Sequence, residues 1–260
     1  MSFIQLSLDQ NILTITLNRP EKYNSFTEPM ALELQDALKK AELEDIRCVI
    51  LKANGKAFCA GQDLPEVVER AKDSSYELAD TVRTTYNPII RAIRKLEKPV
   101  VCTVQGMAAG AGANIAFACD IVVAGKSAQF VQAFSKIGLI PDSGGTWFLP
   151  RLVGLARTNA MYLLDEKISA EQAVELGLIY RAVDDEQLEN EINTIAQKLS
   201  KMPTKGFGIY KRAMNETFSN NLDQQLELEA NLQTEAGNTD DYKEGVEAFL
   251  EKRKPEYKGK

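Results

Sequence analysis

Two glycine-rich stretches are the parts of this chain whose residue types and spacing could bind and activate a carbonyl group. Residues 58–64 (FCAGQDL) follow a short apolar segment at 48–51, and residues 104–113 (VQGMAAGAGA) follow another at 99–104. If both apolar segments are parallel strands, both stretches lie at the sheet edge where open α/β folds place their ligand crevice. Two backbone N–H groups that converge there on one oxygen would form an oxyanion hole. Spacing alone also fits ordinary tight turns.

Asp142 is the candidate proton carrier. It lies within residues 138–146 (GLIPDSGGT), at the end of an apolar segment that contains Ile137, Leu139 and Ile140, with Phe134 nearby. A carboxylate beside such residues can be partly desolvated, which raises its pKa and its basicity. An Asp after Pro and before Ser-Gly-Gly is also a good helix N-cap. The residues themselves leave both interpretations open.

The chain contains no histidine, and this absence restricts its chemistry. Ser-His-Asp and Cys-His machinery, histidine metal sites and imidazole acid–base catalysis are all excluded. Proton transfer therefore falls to carboxylates, Lys, Tyr, Cys or backbone amides. The four cysteines form no C-x-x-C pair, and we interpret them as reduced, buried thiols: Cys48, Cys59, Cys102 and Cys119. We expect no metal ion and no separate cofactor.

Composition narrows the class of protein. Of the 260 residues, 44% are hydrophobic and 26% are charged, which is ordinary for a globular chain. The net charge of −6 argues against nucleic acid or an anionic membrane as the default partner. No apolar run approaches the roughly twenty residues of a membrane span. Residues 1–6 (MSFIQL) lack a basic leader and a long apolar stretch, so we expect a cytoplasmic protein.

Hydrophobic periodicity predicts the elements that position these residues. Alternating residues at 3–8 and 12–17 indicate an antiparallel hairpin, and spacings of three and four predict a helix over about 27–43 with Thr27 as N-cap. The other predicted elements are strands at 48–51, 99–104, 120–124 and, weakly, 179–183, and helices at 76–96, 203–214, 222–232 and 240–253. Apolar strands that alternate with helices indicate an α/β fold with parallel β-α-β units covered on both faces.

The predicted elements divide the chain into an α/β core of residues 1–200 and a helical C-terminal module of residues 201–260. Two helices of the module carry apolar faces, made of Leu222, Leu226 and Ala230 in the first and Val246, Phe249 and Leu250 in the second. Such faces need the core or a neighbouring subunit to pack on. We therefore expect this module to serve oligomerisation.

Five stretches strongly resemble the crotonase (enoyl-CoA hydratase/isomerase) superfamily: 18–20 (NRP), 57–64 (AFCAGQDL), 106–112 (GMAAGAG), 119–120 (CD) and 138–146 (GLIPDSGGT). They occur in family order and spacing over essentially the whole chain, and residues 248–253 (AFLEKR) resemble the family's closing helix. The resemblance implies a spiral β-β-α core that binds acyl-CoA thioesters. It also implies a C-terminal trimerisation module and a homotrimer or a dimer of trimers.

The resemblance also implies roles for single residues. It assigns the oxyanion hole to the backbone N–H groups of Gln62 and Ala111. Hydratases of the family carry two glutamates, at positions where this chain has Asn114 and Phe134, so hydration is disfavoured. Isomerase-type members and the 4-chlorobenzoyl-CoA dehalogenase place a working aspartate at the position of Asp142, which makes it the expected base.

Within the family, the resemblance is strongest to isomerases that convert ring-1,2-epoxyphenylacetyl-CoA to oxepin-CoA in aerobic phenylacetate catabolism. It is carried by residues 86–91 (YNPIIR), 130–142 (FVQAFSKIGLIPD) and 144–147 (GGTW). A fatty-acid Δ3,Δ2-enoyl-CoA isomerase is the alternative, and a hydratase or a non-catalytic crotonase-fold scaffold is less favoured. Coenzyme A enters only as part of the substrate.

The expected substrate contacts come from the two loops, from aromatic side chains and from surface cations. They are Ala60, Gly61, Asp63, Leu64 and Gly110 from the loops, Tyr86 and Phe134 toward the acyl group, and Arg19, Lys22 and Lys252 toward the CoA phosphates. The aromatic residues fit core packing as well, and the cations fit a solvated surface. Lys252 is a candidate to serve a neighbouring subunit.

Overall fold

The structure is a computed structural model that describes residues 2–260. Its strands are β1 Ile4–Asp9, β2 Ile12–Leu17, β3 Cys48–Ala53, β4 Val100–Val104, β5 Met107–Ala109, β6 Ile121–Gly125, β7 Gln129–Val131, β8 Ile168–Ser169 and β9 Arg181–Val183. Its helices are α1 Glu28–Lys40, α2 Leu64–Arg70, α3 Leu78–Thr81, α4 Asn87–Lys95, α5 Ala111–Ala118, α6 Gly145–Leu163, α7 Ala170–Glu175, α8 Leu188–Leu199, α9 Thr204–Glu216, α10 Leu222–Gly237 and α11 Asp240–Glu251.

A six-stranded sheet in the order β1-β2-β3-β4-β6-β9 forms the core. The β1–β2 pair is antiparallel, and its two turn residues, Gln10 and Asn11, have φ of 47° and 63°. Positive φ at both turn residues is typical of the type I′ turn, whose twist matches that of the strands. All other neighbours in this sheet are parallel. The predicted hairpin, parallel units and weak strand near 179–183 are confirmed.

The sheet is buried on both faces, as the apolar strands predict. On β3, Val49 and Leu51 pack into the main hydrophobic core, whereas Ile50 faces the opposite side with Ile192 of α8. Helix α1 covers the main core and is capped by Thr27, whose side chain accepts a hydrogen bond from the Met30 N–H. This N-cap is the one expected from the sequence.

A second sheet, in the order β5-β7-β8, was not expected from the sequence. Its strands have only two or three residues, too few for a period-two pattern to emerge. This sheet holds the second glycine-rich loop in position, because the Gly110 N–H, just beyond β5, donates to the carbonyl of Val131 in β7 at 2.9 Å. It therefore fixes the point where α5 begins.

The helix predicted at 76–96 is present in three parts. A π-helical turn over Val82–Tyr86 joins α3 to α4, and Tyr86 at its end is buried. Such turns insert one extra residue per turn and often occur at functional sites. No helix among residues 2–260 is long and apolar enough to cross a membrane.

The last sixty residues form the three expected helices, α9, α10 and α11. Helix α9 is anchored to the core by the buried Lys211, whose Nζ lies 2.7 Å from Oδ2 of Asp120. In contrast, Leu222 of α10 and Phe249 and Leu250 of α11 are 73%, 82% and 73% exposed. The division near residue 200 stays a prediction.

Candidate active site

A cavity of about 330 Å³ lies where the two glycine-rich loops meet. Its wall contains nine of the residues expected from the sequence: Ala60, Gly61, Gln62, Leu64, Tyr86, Gly110, Ala111, Phe134 and Asp142. Arg19, Lys22, Asp63 and Lys252 do not line it. A larger cavity of about 600 Å³, lined by Trp147, Arg212 and Leu228 among others, contains none of the expected residues. The smaller cavity is therefore the candidate active site.

Backbone hydrogen bonds hold the two loops together. The Cys59 N–H donates to the Met107 carbonyl at 3.2 Å, and the Ala109 N–H donates to the Cys59 carbonyl at 2.9 Å. Gly61 has φ of 90°, and a Cβ on it would lie 3.0 Å from the Ala109 carbonyl oxygen. Both the backbone conformation and this close approach require glycine. The loops therefore form one rigid edge of the cavity.

Two backbone N–H groups are free at this edge. Within residues 2–260, the N–H groups of Gln62 and Ala111 have no hydrogen-bond acceptor. Ala111 is the first residue of α5, where N–H groups lack an intrahelical partner and the helix dipole favours negative charge. Since both residues line the same cavity, the pair can serve as an oxyanion hole.

Both polar atoms of the Gln62 side-chain amide are hydrogen-bonded. The Tyr86 hydroxyl donates to Gln62 Oε1, and Gln62 Nε2 donates to the Phe26 carbonyl at 3.1 Å and to Glu66 Oε2 at 3.2 Å. The Tyr86 ring also packs edge-on against Phe26. Tyr86 thus lines the cavity and holds the loop that carries the first N–H. Sequence reasoning missed the contributions of Phe26 and Glu66, which no motif marks.

Asp142 does not cap a helix, so that interpretation of the sequence is wrong. Helix α6 begins at Gly145 with Gly144 as N-cap, and the Asp142 carboxylate accepts a 2.9 Å hydrogen bond from the Ser143 hydroxyl. Ser143 and Gly144 have φ of 51° and 77°. These two residues in left-handed conformation separate Asp142 from the helix, which leaves its carboxylate in the cavity wall.

Burial raises the pKa of Asp142 to about 6, although the hydrogen bonds from Ser143 and from its own backbone act in the opposite direction. No Lys or Arg lines the cavity to offset the loss of hydration. At neutral pH, a carboxyl group with this pKa is largely ionised, yet it is a stronger base than an ordinary aspartate. This matches the general rule that a catalytic base has a pKa near the working pH.

The raised pKa predicts how Asp142 affects stability. The folded state holds the Asp142 proton more tightly than the unfolded chain does. Protonation of Asp142 therefore stabilises the fold fully below the pKa of Asp142 in the unfolded chain, and this stabilisation is lost as pH rises through about 6. Relative to Asp142→Asn, the wild type should lose on the order of 1 kcal/mol of unfolding free energy between about pH 5 and pH 7.5. Urea unfolding at both pH values measures this, with Asp9→Asn, an exposed carboxyl, as control. Equal pH dependence in the wild type and Asp142→Asn would contradict it.

Arg19 and Asp63 form an ion pair beside the first loop. Arg19 Nη1 lies 2.6 Å from Asp63 Oδ2 and 2.9 Å from the Ser25 carbonyl oxygen, and Asp63 Oδ1 accepts the Glu66 N–H at the start of α2. Burial acts to raise the pKa of Asp63, but the hydrogen bonds from Arg19 and Glu66 outweigh it and lower the pKa. In this structure both residues hold the loop rather than face the cavity.

Lys22 and Lys252 are exposed. Lys252 ends α11 with φ of 58°. Their contact with CoA stays a prediction. The four cysteines are free and buried, as expected, and burial raises the pKa of the Cys59 thiol to about 12. A thiol so buried is no nucleophile at neutral pH.

The rest of the cavity wall, apart from Ile137 and Leu139 beside Asp142, was not expected from the sequence. It comprises Val67, Leu78, Thr81, Val82, Gln132, Ala133, Ile137 and Leu139. Most are apolar, so they shape a pocket for a nonpolar acyl group. No local pattern marks the other six, because α2, α3, the π-helical turn and the segment after β7 bring them to the site only in the folded chain.

Comparisons with known proteins show the family of this chain. The family described as "Enoyl-CoA hydratase/isomerase" matches residues 7–260. The chain is 48% identical over its whole length to 1,2-epoxyphenylacetyl-CoA isomerase of Escherichia coli strain K12, covering 100% of both chains. It is 44% identical to a probable enoyl-CoA hydratase of Rhodobacter capsulatus, covering 99% of this chain and 98% of the relative.

A solved structure shows the same fold. The putative enoyl-CoA hydratase/isomerase from Mycobacterium abscessus superposes with a TM-score of 0.94 at 38% identity and covers 99% of this chain and 100% of its own. Together with the family match over residues 7–260, this shows that the chain has the crotonase fold and belongs to the enoyl-CoA hydratase/isomerase family.

Proposed function

We propose that this protein is an acyl-CoA isomerase that transfers a proton by way of an enolate. One observation carries the proposal. Asp142 is the single carboxylate in the wall of a cavity that also contains the free N–H groups of Gln62 and Ala111. A base and an oxyanion hole in one apolar pocket are the groups that α-proton removal from a thioester requires.

The thioester oxygen accepts hydrogen bonds from the Gln62 and Ala111 N–H groups. The Asp142 carboxylate removes a proton from the α-carbon and becomes neutral, while the negative charge moves to the thioester oxygen as an enolate. The protonated Asp142 then returns the proton to another carbon of the conjugated system. Because one proton leaves and one is returned, the product is an isomer and no other reactant is consumed.

A ring-epoxide thioester, ring-1,2-epoxyphenylacetyl-CoA, is the substrate we favour. The relative at 48% identity is named for this substrate, and the Tyr86 and Phe134 side chains give the cavity aromatic walls. The bond between the two epoxide carbons would break, which places the oxygen in a seven-membered oxepin ring and makes the ring carbon next to the α-carbon part of a double bond. Loss of the α-proton would then give an enolate conjugated with that ring, and the proton would return to a ring carbon.

The competing substrate is an aliphatic Δ3-enoyl-CoA, which needs the same base and oxyanion hole. The two assignments are separated by measuring the turnover of the ring epoxide and of 3-hexenoyl-CoA with one enzyme preparation. We expect the larger kcat/KM with the ring epoxide. A larger value with 3-hexenoyl-CoA would make the fatty-acid isomerase the better assignment. Failure of the chain to exchange the α-proton of any acyl-CoA would favour a non-catalytic scaffold.

Hydration of crotonyl-CoA should be very weak. Hydration requires groups that activate and donate water, and this chain has Asn114 and Phe134 at the two glutamate positions. Phe134 lines the cavity with an apolar ring, and Asn114 is fully buried. Loss of the crotonyl-CoA absorbance measures the rate. Hydratase turnover on the order of ten per second or more, which is typical of enzymes, would overturn the isomerase assignment.

We also propose that the CoA phosphates meet the exposed Lys22 and Lys252, with Arg19 beside the first loop as a further contact. Arg19 is already held by Asp63 and Ser25, so its remaining N–H groups would make any phosphate contact. Charge reversal at Lys22 or Lys252 should therefore raise KM for acyl-CoA with little change in kcat.

The chain should form a homotrimer or a dimer of trimers through its C-terminal helices. Leu222, Phe249 and Leu250 are each more than 70% exposed, and exposed apolar side chains grouped on helices are typical of subunit interfaces. Light scattering at micromolar concentration measures the mass. A monomeric mass would contradict this expectation.

A further inference from the structure

Asn114 is a completely buried polar residue that the proposed mechanism does not use. It lies on α5, three residues after Ala111, and has no exposed surface. Its Nδ2 donates to the Asp142 backbone carbonyl at 2.9 Å and to Gln132 Oε1 at 3.3 Å, and its Oδ1 accepts from Gln132 Nε2 at 3.0 Å. The side chain thus links α5 directly to the loop that carries Asp142.

The loop is shaped to accept this contact. A Cβ on Gly145 would lie 2.4 Å from Asn114 Nδ2, so any larger residue at position 145 would push the loop away from α5. The Asp142 carbonyl also accepts the Gly145 N–H at 2.8 Å. Gln132, which is 1% exposed, holds the Asn114 amide from the other side. The amide therefore has a partner on each of its polar atoms.

We propose that Asn114 is a positioning residue that sets the Asp142 base against the oxyanion donor of Ala111. The proposal rests on the proposed function. Ala111 and Asn114 are neighbours on one face of α5 because residues three apart on a helix are adjacent. The same helical turn thus carries one oxyanion donor and the anchor of the base. A misplacement of about 1 Å in such a site can cost on the order of 10²-fold in rate.

Two variants loosen this contact from opposite sides. Asn114→Ala removes the donor, and Gly145→Ala displaces the acceptor loop. We expect each to lower kcat by about 10- to 100-fold with little change in KM. The freed loop admits water to Asp142, so the acid limb of the kcat–pH profile should move to lower pH. Tyr86 is the titratable side chain that interacts electrostatically with Asp142, and neither variant changes this residue.

Asn114→Asp provides a readout that a merely structural role would not produce. An aspartic acid at this position can donate to the Asp142 carbonyl only while it is protonated. The variant should therefore keep appreciable kcat at low pH and lose it as pH rises, which adds a descending limb to the profile. Asn114→Ala, which cannot donate at any pH, should lack this limb.

A matched control removes a partly buried hydrogen bond between residues that do not line the cavity. Thr204→Val deletes the hydroxyl that accepts from Arg47 Nε at 3.0 Å and keeps the side-chain shape. This variant should lose stability while kcat per folded enzyme and the pH profile stay those of the wild type. If Asn114→Ala and Gly145→Ala also keep the wild-type kcat per folded enzyme and the wild-type pH profile, the proposal is overturned.

One measurement separates the failure of this proposal from the failure of the proposed function. The pH dependence of unfolding, compared between Asn114→Ala and the double variant with Asp142→Asn, reports the Asp142 pKa without any substrate. In the wild-type background, Asp142→Asn removes the pH dependence of unfolding that comes from Asp142. We expect the same substitution to remove less pH dependence in the Asn114→Ala background, because the loosened Asp142 carboxyl is better hydrated and its pKa is less raised. An unchanged difference contradicts the positioning role even if no isomerase activity is found. Absence of wild-type activity on every acyl-CoA contradicts the proposed function alone.

Discussion

Asp142→Asn is expected to lower kcat for isomerisation by about 10²- to 10⁴-fold, the usual contribution of a positioned acid–base group. Asparagine keeps the size of the side chain but cannot accept the α-proton. Because Asp142 does not cap α6, the substitution removes no helix cap. It should leave KM nearly unchanged, since the proposed contacts of the thioester with the Gln62 and Ala111 N–H groups would remain.

Asp165→Asn is a suitable control for Asp142→Asn. Asp165 is another largely buried carboxyl, and it does not line the cavity. It accepts the Ala133 N–H at 2.9 Å and pairs with Lys136. We expect kcat to stay within a few-fold of the wild type in this variant. Steady-state kinetics on the ring epoxide and on 3-hexenoyl-CoA would measure both variants. Wild-type kcat in Asp142→Asn would remove Asp142 from the mechanism.

Ala111→Pro is expected to lower kcat by at least about 10²- to 10³-fold, the typical cost of deleting one oxyanion-hole donor. Proline lacks the N–H and places a ring carbon where the thioester oxygen would bind. The fold should tolerate the change, because Ala111 is the first residue of α5 and proline is favoured at that position of a helix. We therefore expect this variant to lose kcat while it stays folded.

Ala111→Gly is the matched control for this variant, since it keeps the N–H and removes only a methyl group. We expect its kcat to stay close to that of the wild type. Circular dichroism and thermal unfolding should show that Ala111→Pro is folded before kinetics are compared. A folded Ala111→Pro protein with wild-type kcat would show that this N–H does not stabilise the enolate.

The sequence was informative where the signal is local. Alternation at 12–17 and helical spacing after Thr27 predict β2 and α1, since each element buries one face of its own residues. The glycine-rich loops were found because they follow buried strands. The family resemblance then assigned Gln62, Ala111 and Asp142, and the structure brings all three to one cavity.

The sequence was uninformative where contacts join distant residues. Asn114 and Asp142 are 28 positions apart, and nothing in their spacing indicates the hydrogen bond between them. The Tyr86 hydroxyl reaches Gln62 because a π-helical turn, which has no clear sequence signature, precedes α4. The N-cap interpretation of Asp142 was wrong because left-handed Ser143 and Gly144 move the start of α6 to Gly145.

Solvent deuterium exchange at the α-carbon of a bound acyl-CoA tests the central claim most directly, because it isolates proton removal from later steps and from product release. The measurement needs the wild type and Asp142→Asn in D₂O, with mass spectrometry of the recovered thioester. We predict rapid exchange with the wild type and an exchange rate lower by about 10²- to 10⁴-fold with Asp142→Asn. Equal exchange rates in the two proteins would contradict the assignment of Asp142 as the base.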